Sequence, residues 1–146
     1  MHISLKFCRS SLLVSAAFLI VVACVVVFGV IPTVKADTFP LATPERAVPA
    51  FWVNAIFNLS AAVALGLIGY RTAGRTRIFT SFLYLISILI FVFSYALIDA
   101  ARAFRSHGMA MHNTSLLLNF CAITGFIAAL FVIITTTLFP KRSERA

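Results

Sequence analysis

Residues 78–104 read IFTSFLYLISILIFVFSYALIDAARAF. The run carries no charge before Asp99 and Arg102. A helix satisfies its own backbone groups, and about 20 apolar residues cross the hydrocarbon of a bilayer, so this stretch reads as a transmembrane helix. At about 100° per residue, Thr80, Ser81, Tyr84, Ser87, Ser94, Tyr95, Asp99 and Arg102 share an arc of roughly 140°. Phe82, Ile86, Leu89, Phe93 and Leu97 take the other side. That pattern predicts a polar seam packed on protein and an apolar side turned to lipid.

Composition agrees across the chain. Of 146 residues, 62% are hydrophobic and 11% charged. So few charges cannot coat a soluble globule. The expected fold class is an all-α membrane protein, a four-transmembrane-helix bundle in one domain. The spans are expected at about 11–31, 51–70, 78–104 and 116–139. A net charge of +8 would suggest nucleic acid in a soluble protein. Here the bases lie between spans, where orientation and anionic headgroups account for them, and no nucleic-acid partner is expected.

Outward from the third span, Ser11–Ile31 is an uninterrupted apolar run ended by Pro32. Val34 and Ala36 offer small residues before a signal-peptidase cut at Asp37, with Lys6 and Arg9 as a basic leader. The run exceeds the usual length of a signal core, so a retained first span is expected. The loop 32–50 holds Pro32, Pro40, Pro44 and Pro49. Thr43 and Pro44 read as the N-cap and first residue of a short interfacial helix leading into span two.

In span two, Phe51, Trp52 and Tyr70 place aromatics at its ends. Asn54 and Asn58 share a face that Ala61, Ala62 and Gly69 continue. Ala62 and Gly66 form a small-xxx-small pair suited to internal helix packing. The turn RTAGRTR carries Arg71, Arg75 and Arg77, and Gly74 eases its bend. Such a short connection predicts that spans two and three form an antiparallel hairpin. In span four, Cys121, Gly125 and Ala129 recur every four residues and form a small face with Thr136.

Charge bias sets the expected orientation. Lys6, Arg9, Arg71, Arg75, Arg77, Lys141, Arg142 and Arg145 fall on one side, against Lys35, Arg46, Arg102 and Arg105 on the other. Both termini are therefore expected in the cytoplasm. Arg71, Arg75, Arg77, Lys141 and Arg142 would meet lipid headgroups. In this topology Asn54, Asn58, Tyr95, Asp99, Arg102 and Asn119 share the outer leaflet and form the candidate polar cluster. Asp99 is the candidate functional carboxylate, with Arg102 and Tyr95 within reach as an outer clamp.

No catalytic motif, cofactor motif or metal spacing is present. Three cysteines, Cys8, Cys24 and Cys121, make no disulfide framework. Cys24 and Cys121 read as small core residues, and Cys8 as an unmodified juxtamembrane thiol with S-palmitoylation as the alternative. His107, Met109, Met111 and His112 could interest copper but read as a plain loop. Asn113-Thr114-Ser115 is a glycosylation sequon at the edge of span four, an awkward place for modification.

Four spans, termini on one side, a Pro-containing first outer loop and a short basic middle turn resemble the tetraspan MARVEL group. Thr43-Pro44-Glu45-Arg46 and Asp99 near the end of span three resemble its fungal and plant-like members. Plant relatives pair an Arg of span one with that acid, whereas Ser11–Ile31 holds no basic residue here. The resemblance implies membrane organisation, vesicle traffic or junction-like assembly, without catalysis. Expected partners are the bilayer and either a second copy or another membrane protein. The alternatives are a small oligomeric transporter or channel using the polar cluster, or an accessory subunit of a larger complex.

Overall fold

The structure is a computed structural model, and it describes residues 5–32, 44–71, 77–105 and 112–138. All of these residues are helical. Helix α1 runs Leu5–Val25 and continues through a π-helical turn, Val26–Val30. Helix α2 is Pro44–Arg71, α3 is Arg77–Arg105 and α4 is His112–Leu138. Each contains a segment long and apolar enough to cross a membrane: Lys6–Val30, Pro49–Arg71, Arg77–Arg102 and Ser115–Leu138. The chain is a multi-pass membrane protein.

The start of α2 differs from expectation. Instead of a short interfacial helix followed by a span, α2 is continuous from Pro44, with Pro49 inside it. Pro49 lies close to the N-terminus, where its missing N–H forfeits only one early backbone bond. Thr43, the expected cap, lies outside the described residues. So do the signal-cleavage positions 34–37, Arg75 and Gly74 of the middle turn, His107, Met109 and Met111, and the tail from 139. The sequon residue Asn113 lies in the first turn of α4.

The helices alternate in direction. At one end, the near end, Ser11 of α1 bonds Thr135 of α4 and Tyr84 of α3 bonds Thr137. At the far end, Ser115 of α4 bonds the Ala101 carbonyl of α3. Helix α1 packs on α2 and α4, and α4 packs on α3. The expected α2–α3 hairpin does not close, because these two helices barely touch. Between them the rings of Phe57 and Phe93 stack with centroids 4.0 Å apart, holding the backbones away from each other.

Buried positions recur with alternating steps of three and four. In α3 they are Leu83, Ser87, Ile90, Ser94, Leu97 and Ala101; in α4, Ser115, Leu118, Ala122, Gly125, Ala129, Val132 and Thr136. Helix α1 shows the same steps in Cys8, Leu12, Ser15, Leu19, Val22 and Val26. That spacing is the seam of a left-handed bundle, with small residues admitting close backbone approach. The interior divides into two apolar clusters. One holds Leu12, Leu65, Leu83 and Val132 near the near end. The other holds Val22, Phe51, Leu97 and Leu118 toward the far end.

Candidate functional site

Between those two clusters, α2 contributes Asn54 and Asn58, both buried and one turn apart. Asn58 Nδ2 donates to Asn54 Oδ1 at 2.7 Å and to the Asn54 carbonyl at 2.8 Å. Two acceptors around one atom fix the orientation of that amide. Asn54 Nδ2 in turn donates to the Phe93 carbonyl of α3 at 3.2 Å. This bond and the Phe57–Phe93 stack are what join α2 to α3 at mid-depth. Asn58 Oδ1 receives no donor from the described residues, although Asn58 is only 2% exposed.

Ser94, one residue beyond Phe93, is 4% exposed and packs on Gly125 of α4. A Cβ built on Gly125 would overlap Ser94 Oγ and lie 3.2 Å from Ser94 Cβ. Gly125 is therefore the point of closest α3–α4 approach that the sequence signals as part of a small face. The corresponding glycine of α2 is Gly69, where a Cβ would lie 3.1 Å from the Arg9 carbonyl and 3.2 Å from Leu12 Cβ. Around Gly66 there is no atom within 4 Å of such a Cβ, so Gly66 makes no close contact, whereas its expected mate Ala62 is buried. Cys121 and Ala129 are buried, and Cys121 Sγ lies 4.0 Å from the Val22 carbonyl of α1.

The remaining interior hydroxyls are occupied locally or across helices. Ser15, Ser87 and Thr136 donate to carbonyls one turn back, those of Ser11, Leu83 and Val132. Such back-bonding silences a hydroxyl in an apolar setting. Ser11–Thr135, at 2.6 Å, and Ser115 to the Ala101 carbonyl, at 3.1 Å, link helices directly.

The rest of the expected cluster is elsewhere. Tyr95 is 54% exposed, and Asp99 and Arg102 are exposed too. Among the described residues, neither an ion pair nor a hydrogen bond joins Asp99 to Arg102 or Tyr95, so the expected clamp does not form within the chain. Asn119 is half-buried on α4. Five of the six residues thus separate into an interior amide pair, Asn54 and Asn58, and an outward-facing stripe, Tyr95, Asp99 and Arg102. The physical reason is that only one edge of the α3 polar arc, Ser87 and Ser94, turns inward. Ile86 and Leu97, expected to face lipid, are buried instead.

Arg71 and Arg77 are exposed at the near end; Arg75, Lys141 and Arg142 lie outside the described residues. Cys8 is buried against the near-end cluster, and Cys24 is exposed rather than in the core. Cys24, Phe28 and Trp52 help line an apolar outward groove of about 180 Å³ between α1 and α2. No three His, Cys, Asp or Glu side chains come together as a metal site among the described residues. No family model, curated protein or solved structure matches the chain.

What the sequence reading misses is the inner seam of α3 and its fit to Gly125. Its signal is present in the alternating three-and-four spacing of Leu83, Ser87, Ile90, Ser94, Leu97 and Ala101.

Proposed function

We propose that this chain is a non-enzymatic tetraspan that acts by assembling with other components of its membrane. One observation carries the reading. Most interior polar groups are spent on bonds within the bundle, while Tyr95, Asp99 and Arg102 of a membrane-spanning helix face outward. Ionisable side chains at the lipid-facing surface of a span are costly, and protein partners relieve that cost. Membrane organisation of the kind found in the MARVEL group fits this reading. Both termini are cytoplasmic in it, with Arg71 and Arg77 meeting anionic headgroups.

Mild solubilisation followed by identification of stoichiometric companions tests the proposal. The expected result is recovery of the chain in an oligomer or in complex with another membrane protein. Ion flux through liposomes holding the purified chain, lost in Asp99→Asn, would overturn it in favour of transport. Accessibility labelling tests orientation: residues 72–76 should react from the cytoplasm and residues 38–43 from outside.

A further inference from the structure

Helix α3 carries two seams with the same spacing on opposite sides. The inner one begins at Leu83 and ends at Ala101, and it packs on α4. The outer one is Ser81, Leu85, Ile88, Val92, Tyr95, Asp99 and Arg102, and every member is exposed. Steps of four and three throughout make the outer set a second coiled-coil stripe. Its apolar centre, Leu85, Ile88 and Val92, would suit lipid alone. Its upper end does not, because Tyr95, Asp99 and Arg102 stand on the same line.

That upper end is self-complementary. Asp99 and Arg102 carry opposite charges, are three residues apart, and make no ion pair with each other. All copies of the chain insert with one orientation, so two copies meeting through this stripe share a two-fold axis along the membrane normal. Each residue then faces its own equivalent, and a knob at one layer contacts the layers above and below on its partner. The layers of Asp99 and Arg102 are separated by about 4.5 Å along the axis. An Arg side chain spans that step easily, so each Asp99 meets the second copy's Arg102 and the four charges cancel. Tyr95 lies one turn below Asp99 on the same exposed line.

We propose that the outer seam of α3 is a homodimer interface, in which Asp99 of each copy pairs with Arg102 of the other. This rests on the assembly reading above and names its partner as a second copy of the chain. Another membrane protein presenting a basic side chain is the competing occupant, and the experiment separates the two.

The experiment is single-molecule photobleaching of the full-length labelled chain in liposomes, over a range of protein-to-lipid ratios. The wild type should pass from monomer to dimer as its density rises. Asp99→Arg alone and Arg102→Asp alone should each weaken dimerisation by about tenfold or more, because each sets four like charges together. The double variant Asp99→Arg/Arg102→Asp should restore it, which a merely structural role for either residue would not do. In a Cys24→Ser background, Val92→Cys and Ile88→Cys should cross-link to themselves on oxidation, while Phe82→Cys and Leu89→Cys, off the seam, should not. A chain that stays monomeric at every density, with its helicity intact, overturns the homodimer. If such a monomer co-purifies from its native membrane with a stoichiometric protein, the assembly reading survives with a different partner. If it comes alone, that reading falls too.

Discussion

Helices α1 and α3 solve opposite problems. Between Ser11 and Ile31, α1 has little to tell one face from another, yet it lies against both α2 and α4 and buries Leu12, Leu19, Val22, Val26 and Val30 completely or nearly so. Helix α3 has a sharp division between polar and apolar sides, yet most of its polar side faces away from the bundle. In water, amphipathicity decides which face is buried, because apolar surface is driven from solvent. In a bilayer that drive is absent between helices, since lipid tails are as apolar as Leu. Contact is then decided by close packing: small residues at regular spacing, and hydroxyls that bond back along their own helix. Ser94 against Gly125 illustrates the close packing, and so does Gly69 against the Arg9 carbonyl.

The sharpest way to break the comparison is to remove α1. A chain starting at Asp37 leaves Ala61, Ala62 and Leu65 of α2 without the helix they pack on. It should lose detergent-resistant folding altogether, read by circular dichroism and thermal aggregation. Mass spectrometry of the mature protein should correspondingly recover peptides from before Ala36. A mature N-terminus at Asp37 combined with a stable fold would show that α1 is dispensable and that its central position carries no weight.

Next in size is Gly125→Leu. The new side chain meets Ser94 with no space, so overpacking should destabilise the bundle by about 1–3 kcal/mol or more. Gly66→Leu, where nothing lies within 4 Å, should stay within about 0.5 kcal/mol of wild type. Unfolding in mixed detergent would measure both. Equal effects would show that a glycine's contact in this bundle cannot be judged from its surroundings.

How much was legible follows from the same contrast. Four spans, their approximate limits and the small face of α4 can be read directly, because length, apolarity and the spacing of Cys121, Gly125 and Ala129 are local properties. The shared face of Asn54 and Asn58 was legible too, and both are buried. The assignment of faces on α3 was not, because polarity outweighed volume in that reading. Nor was the open α2–α3 seam, since a short connection brings helix ends together without dictating which helices pack. Gathering Asp99 and Asn54 into one cluster failed for a related reason: shared depth says nothing about direction around a helix axis.

The interior amide pair gives a smaller effect than Gly125→Leu at its upper limit. Asn54→Leu removes the acceptor of Asn58 Nδ2 and the donor to the Phe93 carbonyl. Leaving Asn58 with fewer partners in a buried layer should cost about 1–2 kcal/mol. Asn58→Leu should cost less, because it also removes Asn58 Oδ1, which has no donor among the described residues. The reverse order in a mixed-detergent unfolding series would mean that Asn58 Oδ1 has a partner this arrangement does not account for.

The smallest expected effect, and the most informative about α3, belongs to Asp99. Asp99 is exposed, and neither Arg102 nor Tyr95 bonds it within the chain. An inner clamp would make Asp99→Asn and Arg102→Gln destabilise the monomer together, with a double change less than additive. An outward stripe predicts otherwise: in dilute detergent micelles, where single copies dominate, neither change should move the unfolding midpoint beyond experimental error. Ser115→Ala provides the internal contrast. It removes a buried hydroxyl that bonds the Ala101 carbonyl at 3.1 Å, so it should destabilise the same monomer by about 0.6 kcal/mol, an average for such bonds in membrane bundles. Ala101 and Arg102 are adjacent in sequence but lie on different faces of α3, one buried and one exposed. If Asp99→Asn nonetheless lowers monomer stability as much as Ser115→Ala, the carboxylate is doing structural work inside a single chain. The division between the inner and outer seams of α3 would then have to be redrawn.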